Sequence, residues 1–143
     1  MPSAVDTNIL VRLLIDDGSE HVAPSRQVFA DGPVFVPTTV ILETEWVLRS
    51  QFGQSREQVC EAFDRVLGVR SISVENADRV ASAVDAHRVG LDFADALHLF
   101  ASGDCDQLFT FDGPFVRRAR RAEATIPVNR PRPITNPKKS KFS

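Results

Sequence analysis

The sequence predicts an α/β domain built on a mostly parallel sheet. Three observations lead there. Short β-like runs alternate with stretches that are apolar at helical spacing, no internal repeat interrupts that alternation, and two of the runs end on an aspartate just before a helical stretch. With 143 residues and 43% hydrophobic content, the chain can form one compact domain with a real core.

Ser3-Ala4-Val5 reads as a short strand that stops at Asp6, and residues 8–15 follow at helical spacing. Residues 21–30 form a second helix, ended by Asp31-Gly32-Pro33. Val34-Phe35-Val36 is a strand closed by Pro37. Thr38 caps a helix running to about Phe52, where Gly53 stops it. Ser55 and Gln58 make a capping box for the next helix, whose apolar face is Val59, Ala62, Phe63, Val66 and Leu67. Residues 71–74 are a short strand. Asn76 opens a helix to about Val89, with Gly90 after it, and Asp92 opens another that ends near Gly103. Residues 108–111 (Leu-Phe-Thr-Phe) form the strongest strand of the second half. Gly113-Pro114 then turns the chain into a basic helix over 115–121, and residues 126–128 are an edge strand. From Asn129 on, three prolines and several lysines predict an irregular tail. The expected division is a domain over 1–128 and a basic, flexible tail over 129–143.

Charge is unevenly spread. Residues 117–143 hold nine Lys or Arg against the single acid Glu123, a balance of +8, so the preceding 116 residues carry −10 of the total −2. An acidic body with a basic end can hold metal in one place and phosphate in another, or simply carry a solvated basic tail. No apolar run reaches the roughly 18 residues a membrane span needs. The N-terminus lacks the pattern of a signal peptide, so a cytoplasmic protein is expected. Cys60 and Cys105 show no metal-ligand spacing, and Cys60 reads as a small buried group.

The acids carry the chemistry. Asp6 ends a strand, where sites of parallel sheets lie, and Asn8 is the better cap for the helix that follows, leaving Asp6 free. Asp112 repeats that arrangement, and for both the alternative is a capping or turn aspartate. Glu43 has Thr39, Val40, Trp46 and Val47 as its helical neighbours, none of them basic. It therefore lies beside an apolar stripe without a local partner, and either reaches water or is satisfied from elsewhere, as by a divalent cation. Glu45 has Arg49 four residues on and reads as a solvated surface pair. Asp92 and Asp95 share a helix face. Asp92 is chiefly the helix cap, Asp95 the stronger metal candidate, and His98 a packed or hydrogen-bonding neighbour. Thr7 and Thr110 are secondary hydrogen-bonding candidates. A carboxylate set with little His or Cys suits Mg²⁺ or Mn²⁺ rather than zinc. Arg117, Arg118, Arg120 and Arg121 either hold a nucleic-acid backbone or form a solvated helix face. There is no P-loop and no Gly-rich dinucleotide motif. An aspartyl-phosphate enzyme is disfavoured, because Asp6 is not followed by a second Asp at position 8 and no lysine precedes Lys138.

Taken together, VDTNILVRLL at 5–14, VILETEWVLRSQFG at 40–53, GLDFADALHLFAS at 90–102 and FTFDGPF at 109–115 resemble the PIN-domain ribonucleases. Within them the chain looks like the VapC-type toxins of bacterial toxin–antitoxin pairs. The resemblance runs from about residue 3 to residue 128 and implies a three-layer α/β/α fold with a central parallel sheet. It places the family's four acids on Asp6, Glu43, Asp95 and Asp112. Asn8 matches the polar residue after the first acid, Thr110 the hydroxyl residue before the last, and Asp92 an auxiliary acid. It further implies a Mg²⁺- or Mn²⁺-dependent endoribonuclease acting on RNA, a homodimer, and a cognate antitoxin that lays a segment beside the active site. The complete acid quartet argues against the alternative, a non-catalytic PIN-like module that binds RNA or protein.

Overall fold

A computed structural model of the chain describes residues 1–134. The lysine-rich stretch at 138–141 lies outside the described residues. Among the described residues, five short strands and seven helices follow in the order β1 (Ser3–Ala4), α1 (Thr7–Leu14), α2 (Val22–Ala30), β2 (Val34–Val36), α3 (Thr38–Ser50), α4 (Arg56–Gly68), β3 (Ile72–Val74), α5 (Ala77–Arg88), α6 (Phe93–Ala101), β4 (Leu108–Phe109), α7 (Gly113–Ala119) and β5 (Val128–Asn129). Every strand pairing among the described residues is parallel. The strands form two sheets, β1-β2-β3 and β4-β5. With the helices the architecture is three-layered α/β/α, the predicted class. Parallel strands need a crossover between them, and each connection here is helical.

The register of the larger sheet follows from its apolar residues. Val34 pairs with Ile72 and Val36 with Val74, and all four are buried. The alternation of buried β-branched residues with the half-buried Phe35 and the exposed Ser73 puts one face of β2 and β3 in the core. Around them pack Leu10 of α1, Ile41 and Leu48 of α3, Val59, Phe63 and Val66 of α4, and Phe93 and Leu99 of α6. Phe63 and Phe93 stack with ring centroids 5.3 Å apart, and His87 meets the edge of Phe93 at 5.5 Å. Cys60 is buried with its thiol pushed up by desolvation, and Cys105 is exposed. Among the described residues no helix is long and apolar enough to cross a membrane.

Local chemistry sets the helix starts. The predicted capping box of Ser55 and Gln58 is present in both directions, at 3.1 and 2.8 Å. Asp6, not Asn8, caps α1: its backbone is extended and its carboxylate accepts from the Ile9 amide at 3.2 Å. Asn8 is already inside the first turn and cannot cap it. Thr38 is likewise the first helical residue of α3 rather than its cap. Its amide and hydroxyl both donate to Glu75, which ties the start of α3 to the end of β3. Between α5 and α6, Gly90 takes φ +118°, a conformation costly for a side chain with a Cβ. That turn buries Leu91, whose carbonyl meets His87 Nδ1 at 2.7 Å, and delivers Asp92 to cap α6.

β4 is half the predicted length. The Thr110 hydroxyl accepts from the Asp112 amide at 3.0 Å, a side-chain turn that ends the strand early and leaves Phe111 exposed. At the other edge strand pairing reaches Asn129, one residue past the predicted limit, and the Asn129 side chain donates to Gln107.

Candidate active site

Helix α3 shows how one sequence stretch builds two surfaces. Ile41, Thr44, Glu45 and Leu48 recur at i, i+3, i+4 and i+7 and form its buried face. Thr39, Leu42, Glu43 and Trp46 repeat that spacing on another face and line a cavity of about 550 Å³. Asp6, Thr7 and Asp92 close the cavity from the starts of α1 and α6, and Glu45 and Arg49 reach it from α3.

Three of the candidate acids thus share one hollow, Asp6, Glu43 and Asp92, together with the secondary candidate Thr7. Glu43, expected beside an apolar stripe and either reaching water or satisfied from elsewhere, is exposed, and a group from elsewhere engages it, because the Thr7 hydroxyl donates to its carboxylate. Asp95 and Asp112 do not line the cavity. They are linked to it electrostatically. Partial burial, followed by the negative charges of Asp92 and then Asp112, raises the pKa of Asp95 above the ordinary aspartate value, against a small opposing effect of His98. Asp112 caps α7 by accepting from the Phe115 amide at 3.1 Å, and Asp92 caps α6 by accepting from the Asp95 amide at 3.2 Å. Thr110 fixes the backbone of Asp112. Asn8 opens instead onto a separate hollow of about 420 Å³ between α1 and α2, with Arg12 and His21, and stands apart from the acids. Arg117, Arg118, Arg120 and Arg121 are exposed at the end of α7. Among the described residues none of them is ion-paired.

The largest departure from the sequence reading is Glu45. Its ion pair with Arg49 exists, Nε to Oε2 at 2.9 Å, but the Glu45 side chain is only 4% exposed. The 41-44-45-48 row was visible in the sequence and places Glu45 inward, whereas the i, i+4 charge pairing pointed outward. Arg49 is the one cation among the described residues that line the cavity.

No group of three or more His, Cys, Asp or Glu side chains among the described residues is gathered closely enough to hold a metal ion directly. The donor chemistry nonetheless fits a hard divalent cation. Every acid involved offers oxygen, such ions keep several waters of their own, and positive charge beside Asp95 relieves the repulsion that raises its proton affinity. Since the folded-state pKa of Asp95 exceeds the unfolded one, its ionised form opposes folding. That cost is absent below the unfolded value, near 3.9, and is fully present once the pH has risen through the folded value. Asp95→Asn should therefore raise the melting temperature at neutral pH in chelator, with the difference closing as the pH approaches about 4. An equal offset at both pH values would remove the electrostatic cause.

The PIN domain family model matches residues 4–121, which is 118 of the 143. No curated protein and no solved structure matches the chain. The matched span begins in β1, continues past α7 and takes in Asp6, Glu43, Asp92, Asp95 and Asp112. With this family's model covering most of its length, the chain belongs to the PIN domain family.

Proposed function

We propose that this protein is a Mg²⁺- or Mn²⁺-dependent endoribonuclease that hydrolyses RNA phosphodiester bonds. Family membership supports a nuclease-type hydrolase at the coarse level. The observation that carries the finer reading is the joining of Asp6, Glu43 and Asp92 around one cavity, with Asp95 and Asp112 coupled to it through charge.

Asp6, Asp95 and Asp112 would hold the ion, with Glu43 as a further ligand or as the base that orients the attacking water. A bound divalent ion supplies Lewis-acid activation of water and neutralises charge at the scissile phosphate. The Thr7 hydroxyl keeps the Glu43 carboxylate in a fixed orientation, as general-base work requires. Arg117, Arg118, Arg120 and Arg121 offer cations for the RNA backbone outside the acidic hollow, where they would make binding fall with salt. The further reading, a toxin acting as a homodimer and restrained by a cognate antitoxin, rests on the likeness of the four motifs to VapC-type toxins. One observation favours a second reading, a PIN-like module that binds without cutting: the acids are not gathered at coordinating distance.

Metal separates the two. Millimolar Mg²⁺ or Mn²⁺ should stabilise the nuclease by about 1–3 kcal/mol, seen as a rise in melting temperature. It should also switch on cleavage of single-stranded RNA, which chelator abolishes. No thermal shift together with intact RNA would leave the binding module as the reading. Sequencing the ends of products from total RNA then identifies the target.

A further inference from the structure

Trp46 and Arg49 are unexplained by the acid chemistry, yet both line the same cavity as Asp6, Glu43 and Asp92. Trp46 is 53% exposed, an unusual position for the largest apolar side chain in the sequence. Arg49 is anchored through Nε alone, on the buried carboxylate of Glu45. Its terminal nitrogens have no partner among the described residues. Burying a carboxylate is costly, so the Glu45–Arg49 pair is a built feature rather than a passing surface contact. The Glu45 hydrogen bond and then its charge hold Arg49 firmly protonated, with desolvation opposing and the charge of Asp92 also contributing.

We propose that Trp46 and Arg49 form a subsite for single-stranded RNA beside the candidate carboxylates, the indole stacking on one unpaired base and the guanidinium fork holding a neighbouring phosphate. Residues three apart on a helix stand about 5–6 Å from each other, close enough for one to meet a base and the other its phosphate. A cavity of about 550 Å³ suits a single nucleotide-sized ligand. A polyanion approaching Asp6, Glu43 and Asp92 is repelled unless a cation draws it in, and among the described residues lining the cavity Arg49 supplies one. Its planar fork matches phosphate oxygens in pairs. An indole face accepts any base provided the base is not already stacked in a duplex, which selects single strands over sequence.

This subsite rests on the ribonuclease reading, and the test separates the two. Trp46 is the only tryptophan and the chain has no tyrosine, so its emission reports this cavity alone. The full chain carrying Asp6→Asn is titrated with a short single-stranded oligoribonucleotide and, separately, with a fully paired hairpin, following both anisotropy and tryptophan emission. Single strands should quench the emission and hairpins should not. Trp46→Ala should weaken binding by about tenfold to a hundredfold, and Trp46→Phe should restore most of it. Arg49→Gln should reduce the slope of log affinity against log salt by about 0.7, the loss of one phosphate contact on a single strand. Because that change strands Glu45, the paired variant Glu45→Gln with Arg49→Gln is measured as well and should show the same slope. RNA bound without change in emission, and with equal affinity in Trp46→Ala, would overturn the subsite while leaving the nuclease reading intact; a cavity reserved for a protein segment gives that result. Absence of any RNA binding by anisotropy overturns both.

Discussion

Asp6→Asn is expected to lower RNA cleavage by at least about a hundredfold while the protein keeps its stability to within about 1 kcal/mol. The two halves of that result have separate causes. Asp6 caps α1 through a carboxylate oxygen on the Ile9 amide, and asparagine offers an equivalent oxygen at the same place. The cap therefore survives, and only the charge facing the cavity is lost. Asp6→Ala removes both, so it should cost about 1 kcal/mol more in stability for a similar loss of activity. Cleavage rates under single-turnover conditions, set beside thermal unfolding of the three proteins, check the prediction. Cleavage retained by a folded Asp6→Asn protein would refute the role given to Asp6.

Phe93→Ala should destabilise the domain by about 3–5 kcal/mol, a large share of the roughly 5–15 kcal/mol a domain usually has. Phe93 is fully buried, stacks on Phe63 and meets the edge of His87. Its ring joins α4, α5 and α6 at one point, and no small side chain fills that volume. A fall of roughly 10 °C in melting temperature follows from the same figure. Phe93 is also the first residue of α6, between Asp92 and Asp95. Divalent stabilisation should therefore shrink along with the melting temperature in Phe93→Ala. Phe93→Leu, which keeps most of the volume, should cost less than about 1.5 kcal/mol and retain the metal response. Urea unfolding with and without Mn²⁺ gives both quantities, and an alanine variant as stable as the leucine one would place the core elsewhere.

Much of this fold was legible because its signals are local. The Val34-Phe35-Val36 strand matches to the residue, and the Ser55 and Gln58 pair announces α4 within its own first turn. Gly90 before Asp92 marks the turn into α6 for the same reason. Some departures are local, as where Asp6 rather than Asn8 caps α1 and the Thr110 turn shortens β4, and others depend on what lies across the fold. Spacing within α3 shows that Glu45 and Arg49 meet, but whether the pair faces water depends on which helices pack against α3. Glu43 has no partner within its own helix because its partner is Thr7, 36 residues away. The four motif acids are far apart in the chain, and Asp6 and Asp112 alone read equally well as caps. That Asp6 and Glu43 meet Asp92 around one hollow, while Asp95 and Asp112 do not line it, depends on how α1, α3 and α6 come together across the fold.

Three of the acids are also helix starters: Asp6 for α1, Asp92 for α6 and Asp112 for α7. Glu43 and Asp95 start no helix. A lineage that abandoned hydrolysis would still be under pressure to keep Asp, Asn or Ser at the three starting positions, because the architecture depends on them, whereas drift could claim 43 and 95 at little structural expense. On the proposed nuclease reading, survival of an acid at those two positions is therefore the better sign that a related chain retains the activity.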